Sequence, residues 1–549
     1  MVTAIIMAPT RTEKMQLIPR RVPLLLLALN LTGVASVTAA EVEIKPAVTA
    51  SGYGFWLRQD ETGGGLDKGL AALLSPTLGI NVTGRQLSSA LSLKNESVWY
   101  DDSQRSHKSL SSYNWRSQLS ALDERFRVGL SASSAHRIRN SQVGVFSDII
   151  TGSDNLSKTS SIGANMSLST GANADVYSQL GLDYRRLRSD APDVDDGFGN
   201  FDNDAYTTTL AMGSADRQST LFWQASGSYR KTDRDSGESF TAKQAAATGG
   251  VPLYRNLSAI VRGSYDQNDA GRSYNNKFVS YGAGLEYKFG RASRLSVSRN
   301  RAVITPNDSP DFKVRETYTA AEVFLAPSRR TSLSYTLDRR YTGRTAVVQG
   351  SYQLRFLSLR LSLSDTVQTL STLDEVTEDL GMFVCPDTAA QFSDCFRPAT
   401  NNYQLQTGES FRQFFGTELE LSEQIINRRS ASFAAGYNRN RLALNLLVSR
   451  SEDDYVESGR QSERDTISLQ SSWRLTPHAS LLLNARYYDI DYGTEQRADK
   501  NVSIEGGIKY QLNSRADVSA MFRRIERDST LASRDISEDR IWLSLNQRF

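Results

Sequence analysis

The feature that most constrains this chain is an alternation of apolar and polar residues at a spacing of two, repeated from about Ile44 to the last residue. Leu357, Leu359, Leu361 and Leu363 alternate with Ser358, Arg360, Ser362 and Ser364. Val502, Ile504, Gly506, Ile508, Tyr510 and Leu512 alternate with Ser503, Glu505, Gly507, Lys509 and Gln511. Leu257, Ala259, Val261, Gly263 and Tyr265 do the same against Ser258, Arg262 and Ser264. Successive side chains of a strand point to opposite faces, so each run has one greasy face and one wet face. No long segment keeps apolar residues at the i, i+3, i+4, i+7 spacing of a helix, so the chain reads as all-β.

Two architectures satisfy that pattern. A soluble sandwich hides the greasy face between sheets. A transmembrane antiparallel barrel turns it to lipid and turns the polar face to a wet lumen. Strand length separates them: the runs here are about 10–15 residues, in line with membrane strands and longer than the ~5–6 of sandwiches. Connections also alternate in length. Gly290-Arg291-Ala292, Thr476-Pro477-His478 and Asn513-Ser514-Arg515 are tight. Ser141 to Thr159, Asp190 to Asp204, Asp453 to Asp465 and a longest segment at about 373–423 are long and polar. Short turns on one side and long loops on the other indicate an outer-membrane barrel whose long side faces outward. Counting runs gives a single barrel of about 24 strands, with 22 as the next even choice. Phe411 to Leu421 is assigned to the longest loop, and an even count puts both termini on the short-turn side. A count this large favours a wide bore.

The first forty residues read as an address. Arg20 and Arg21 precede an apolar core from Val22 to Val37, followed by Thr38, Ala39 and Ala40, the pattern of a cleaved secretory signal peptide. Met15 is an alternative start that would give a signal of ordinary length. Residues 41–549 form the barrel. The chain carries 64 Lys+Arg and 61 Asp+Glu. The leader holds Arg11, Lys14, Arg20 and Arg21 against Glu13, which leaves 60 basic and 60 acidic residues in the remainder. Zero net charge argues against nucleic acid as a partner.

The chain ends Ile541-Trp542-Leu543-Ser544-Leu545-Asn546-Gln547-Arg548-Phe549. Ile541, Leu543, Leu545 and Phe549 share one face, and this final alternating strand with a terminal Phe resembles the C-terminal signal of bacterial outer-membrane barrels. That resemblance implies recognition by the barrel-assembly machinery. Ile425-Ile426-Asn427-Arg428-Arg429-Ser430-Ala431-Ser432-Phe433-Ala434-Ala435-Gly436-Tyr437, its continuation through Asn438 to Leu446, and Ser472-Trp473-Arg474-Leu475-Thr476-Pro477-His478-Ala479-Ser480 resemble the PEP-CTERM system-associated outer-membrane proteins. These are barrels found beside exopolysaccharide genes. The resemblance implies a role in exporting or organising an extracellular polysaccharide, with periplasmic export components as partners, and it supplies no catalytic residues.

Little in the chain points to catalysis. His107, His136 and His478 are its only histidines, and nothing local marks a Ser-His-Asp set beside any of them. Gly282-Ala283-Gly284 is too short for a dinucleotide fingerprint and reads as small residues where a strand bends. No cofactor or metal is expected. Cys385 and Cys395 fall in the longest loop, and an oxidising compartment favours a disulfide between them. Arg262, Arg360, Lys509, Arg523 and Glu505 lie on polar strand faces and are candidate lumen-lining residues, able to guide an anionic sugar chain or to pair across strands. Tyr53, Trp56, Trp99, Tyr100, Tyr487 and Tyr488 fall near strand ends, where an interfacial aromatic girdle is expected in contact with outer-membrane lipid. Three functions fit: a conduit or accessory for exopolysaccharide, a diffusion porin for small hydrophilic solutes, and a closed structural or adhesive barrel acting through its loops.

Overall fold

The computed structural model describes residues 40–369, 379–386, 409–415 and 425–549, apart from short stretches at 60–65, 103–104, 140–144, 171–173, 195–198, 215–220, 236–237, 271–274, 291, 306–312, 329, 341–342, 457, 494–496 and 532–533. For residues 366, 368–369, 379–386 and 409–415 it describes the backbone alone. Residues 1–39 of the proposed forty-residue leader lie outside these bounds. No described helix is long and apolar enough to cross a membrane.

Strands are numbered β1 to β26 in chain order. β1 (Glu41–Gln59) pairs antiparallel with β2 (Leu66–Thr83) and, on its other edge, with β26 (Ile536–Arg548), which closes a sheet of 24 strands. Closure removes the unpaired edges that an open sheet would expose in lipid. Each strand of the ring pairs with its sequence neighbours except where β17 (Leu357–Thr369) meets β20 (Ile425–Arg439). Between those two, β18 (Asp379–Pro386) and β19 (Glu409–Phe415) pair only with each other. The Phe411 region therefore contributes to a hairpin that is not part of the ring, and the count of the ring is the 24 expected.

The alternation sets the register. Leu361 on β17 sits opposite Phe433 on β20, and both are exposed on the outer face. On β24 (Ala498–Gln511) Ile504, Ile508 and Tyr510 face out, and on β26 Ile541, Leu543 and Leu545 do. Leu543 is 61% exposed. An apolar belt this extensive, open to the surroundings on strands of 10 or more residues, is a lipid-facing surface. Past its upper edge the outward side chains turn charged. Arg186 of β7 (Val176–Ser189) binds Asp202 of β8 (Phe201–Ser214) through two hydrogen bonds of 2.8 and 2.6 Å, just beyond the paired rings of Tyr184 and Tyr206.

One rim carries tight turns. Several use left-handed residues, such as Arg255 (φ 42°), Asn440 (φ 53°) and Gly290 (φ 73°). Both ends of the ring lie there too, with the Phe549 N–H donating to the Pro46 carbonyl at 3.0 Å. The opposite rim is where the strands ending at Arg137, Ser189 and Thr369 hand over to long connections.

Near one rim the inner face carries buried apolar residues in place of the open polar wall of a wide bore. At the long-loop rim Phe240 of β10 (Phe240–Tyr254) packs with Ala270 and with Ile425 of β20, all three fully buried. Seven strands separate β10 from β20 along the shorter arc of the ring, so this side-chain contact bridges the rim and divides it into a smaller and a larger lobe. Within the smaller lobe Arg262 of β11 (Leu257–Asp269) reaches Asp338 of β15 (Thr331–Arg340) at 3.3 Å, across three intervening strands. Gly282 and Gly284 help the wall curve inward. A Cβ at either position would collide with Asn300 Oδ1 or with the Val297 carbonyl of the next strand. Strand number sets the circumference of a barrel. It does not set the shape of the cross-section, which here follows from apolar residues on the inner face near the rim.

Candidate functional site

The larger lobe is occupied at its mouth by the connection between β5 (Phe126–Arg137) and β6 (Ser157–Ser169), described from Val145 onward. Its apolar residues are buried against distant strands. Ile149 and Ile150 pack on Phe55, Ala71, Leu73 and Val98 of the first three strands. Val145 packs on Ile490 and Tyr492, and Phe146 meets the Tyr488 ring at 5.6 Å between centroids. Tyr100 Oη lies 2.9 Å from the carbonyls of both Ile149 and Ile150. The loop thus spans from its own side of the barrel to the strands near the closing seam.

A charged cluster holds it there. Asp148 Oδ2 accepts from Arg523 Nη2 at 2.8 Å and from Arg540 Nη1 at 2.7 Å. Its Oδ1 accepts from the backbone N–H groups of Ile150 and Thr151, which folds the loop into a local turn. Thr151 Oγ1 donates to Glu538 Oε2 at 2.6 Å and accepts from Arg540 Nη2 at 2.6 Å. Glu538 Oε1 pairs with Arg540 at 2.8 Å and with Arg523 at 3.1 Å. Burial pushes the Asp148 carboxyl up, but the Arg540 and Arg523 guanidiniums and the Ile150 N–H outweigh it and hold the group well below the usual carboxylate range. We call this cluster the latch. Two carboxylates and two guanidiniums balance in it, so it fixes position without creating a field of one sign.

All five residues read from the sequence as lumen candidates lie on the inner face, but they do not form one site. Arg523 joins the latch, and Glu505 is its partner in register on β24. Lys509 lies farther toward the short-turn rim, 4.0 Å from Asp517. Arg262 is in the smaller lobe, and Arg360 sits opposite Ala434 on the wall between β17 and β20. Sequence reasoning missed Asp148, Thr151, Glu538 and Arg540. The available signal was the pairs Val145-Phe146 and Ile149-Ile150 inside an otherwise polar connection, since apolar pairs in a solvated loop ask for a cover.

The aromatic girdle needs correction at three positions. Trp56, Trp99 and Tyr487 face outward as expected. Tyr53 faces inward and stacks on Trp542 across the seam at 5.8 Å. Tyr100 and Tyr488 also face inward and hold the loop. Adjacent residues of a strand cannot share a face, so Trp99 and Tyr100, or Tyr487 and Tyr488, could supply only one girdle residue each.

Ile541, Leu543 and Leu545 lie on the lipid face, and the Phe549 side chain is 67% exposed. His107 accepts from the Tyr100 N–H at 3.4 Å, His478 lies beside Tyr510, and His136 Nδ1 is buried without a partner. Among the described residues no group of metal-ligating side chains converges. Cys395 lies outside the described residues, and of Cys385 only the backbone in β18 is described. Peptide mapping of the mature protein without reduction should recover the two joined, stabilising the long loop by roughly 3 kcal/mol. Recovery of two alkylatable thiols would refute the pairing.

Residues 463–549, which take in the last five strands but for two residues, match the family described as "Putative beta-barrel porin 2". No curated protein matches the chain. Among solved structures, the siderophore receptor PirA from Acinetobacter baumannii is similar at 9% identity and a TM-score of 0.40, covering 93% of this chain and 81% of that one. The FrpB iron transporter from Neisseria meningitidis (F3-3 variant) matches at 11% and 0.40, covering 92% and 81%. The ferric-catecholate import receptor Fiu from E. coli K12 matches at 11% and 0.41, covering 92% and 82%. At these values the likeness carries no argument about activity. The closed ring, its lipid-facing belt and the porin-family match over its final strands make the chain a porin-like β-barrel of the bacterial outer membrane.

Proposed function

We propose that this barrel serves the export of an extracellular polysaccharide, as a conduit or as an accessory to one, and that its mouth is closed at rest. The observation that carries the reading is the latched loop, together with the wall contact at Phe240 and Ile425. A general diffusion porin needs a standing aqueous path. A mouth held shut by an ionic cluster suits a pathway that opens for its cargo or for a periplasmic export partner. The sequence resemblance to the PEP-CTERM system-associated barrels supports the same substrate. The paired charges of the inner wall, as at Arg262 and Asp338 or Lys509 and Asp517, suit weak rather than strong ion selectivity.

Deleting the gene should lower released polysaccharide and leave the uptake of small nutrients unchanged. If secretion stays normal while the cells become impermeable to small solutes, the diffusion porin is the right reading. If neither changes, and the protein gives no conductance in planar bilayers even after the loop is freed, the barrel is a closed structural element acting through its outer loops.

A further inference from the structure

Between the latched loop and the strands at the seam lies a cavity of about 700 Å³, within the ~300–1,000 Å³ range of sites for small organic ligands. Tyr100 and Arg105 line one side, Thr151 and Asn155 of the loop another, and Asn501 and Arg527 a third.

Most of the charges around it are already matched. Arg105 is paired with Asp67 and lies over the rings of Phe55 and Tyr100. Lys108 is held by Asp154 and Asp193. Glu538 is taken by Thr151, Arg523 and Arg540. On the neighbouring strand Asp499 is held by both ends of Arg497, at 3.0 and 2.6 Å, and by Ser529 Oγ at 2.6 Å. Arg527 is the exception. It is only 5% exposed, its Nε donates to the Arg534 carbonyl at 2.6 Å, and its Nη1 is buried with no partner. Among the described residues no carboxylate pairs with it. A guanidinium out of water with an unmatched N–H is costly, and the cost is removed when an acceptor, best an anionic one, enters the cavity.

We infer that this cavity binds a carboxylate-bearing sugar unit, with the carboxylate on Arg527 and the ring hydroxyls on the amide, hydroxyl and carboxylate groups around it. The inference deepens the export reading and rests on it for the source of the ligand. A neutral sugar would leave Arg527 unmatched. A bare inorganic anion would use Arg527 and ignore the rest of a lining that mixes Asn155, Asn501 and Thr151 with the apolar flanks of Leu57 and Ile525. The chemistry that uses both is an acidic oligosaccharide with one carboxylate per ring.

The test is calorimetric titration of the full barrel in detergent with a trimer of galacturonate, with maltotriose and inorganic phosphate as comparisons. The acidic trimer should bind more tightly than either. Arg527→Gln should weaken it at least about tenfold, through loss of a charge-assisted contact. Arg527→Lys, which keeps the charge but loses the planar fork, should fall between, and Arg127→Gln, at the short-turn rim outside the cavity, should bind as the parent does. Heat-shifted gel mobility verifies that each variant is assembled. If Arg527→Gln does not assemble, Arg527→Lys decides, and unweakened binding by it overturns the inference. The inference is also overturned by no binding to the parent, by maltotriose binding equally well, or by phosphate matching the trimer as an adventitious ion only. A deletion strain with normal secretion, alongside a purified barrel that still binds the trimer, would defeat the export reading and leave the site standing.

Discussion

Replacing Asp148 with asparagine should raise the conductance of the purified barrel in planar bilayers. The substitution keeps the size of the side chain and removes the charge that Arg523 and Arg540 share with Glu538. Breaking a buried ion pair from one side costs about 3–5 kcal/mol. Asp148 keeps 31% of its side-chain surface exposed, which lowers that to about 2–4 kcal/mol. That corresponds to roughly a thirty- to a thousandfold shift between docked and free loop. The strand pairing of the ring does not run through the loop, so the thermal unfolding of the ring should change little. Arg127→Gln, at the short-turn rim and away from the latch, should leave conductance unchanged. The pH dependence has a definite sign. The folded pKa of Asp148 is depressed, so its contribution is complete above the ordinary carboxylate value of about 3.9 and is lost only as pH falls through the lower, folded value. Parent conductance should therefore be flat from pH 8 to pH 5 and rise only in strong acid. A variant that conducts like the parent would show that the apolar contacts of Ile149 and Ile150 hold the loop by themselves.

Deleting Phe549 should remove most of the barrel from the outer membrane while hardly weakening what does assemble. Phe549 is 67% exposed at the end of the chain, so in the folded ring it buries little surface. The backbone bond from its N–H to Pro46 is one hydrogen bond at the end of a long antiparallel seam. Phe549→Ala retains that bond and should change stability by no more than about 0.5 kcal/mol. A large loss of assembled protein with unchanged heat-modifiable migration would place the residue's role in recognition by the assembly machinery. Equal amounts of assembled protein in both variants and the parent would remove that role. Heat lability of the surviving fraction would make the residue structural.

The ring was legible because alternation is a local property. Leu357 to Ser364 and Val502 to Leu512 need no knowledge of their neighbours to declare two faces, and β17 and β24 lie where those runs do. The content of the lumen was not legible. Parity places Arg262 and Asp338 on the inner face, but their contact depends on how far a distant arc bends in, and small residues such as Gly282 and Gly284 help determine that. Asp148 was hidden for a different reason. Its partners are 375 and 392 residues away in sequence, and no spacing rule reaches that far. The apolar pairs beside it were the one local trace.

The contact between Phe240 and Ile425 divides the mouth, and the latch at Asp148 holds a loop across its larger lobe, both on one continuous wall. A hoop that is squeezed in one direction widens in the other, so the two closures share a single mechanical coordinate. Rounding the hoop would pull Phe240 away from Ile425 and at the same time change the span that the loop from β5 must cross to reach β25 (Ala516–Ser529) and β26. The surrounding bilayer presses on that hoop from every side. Its tension and thickness would then act as inputs to permeability, with no ligand required.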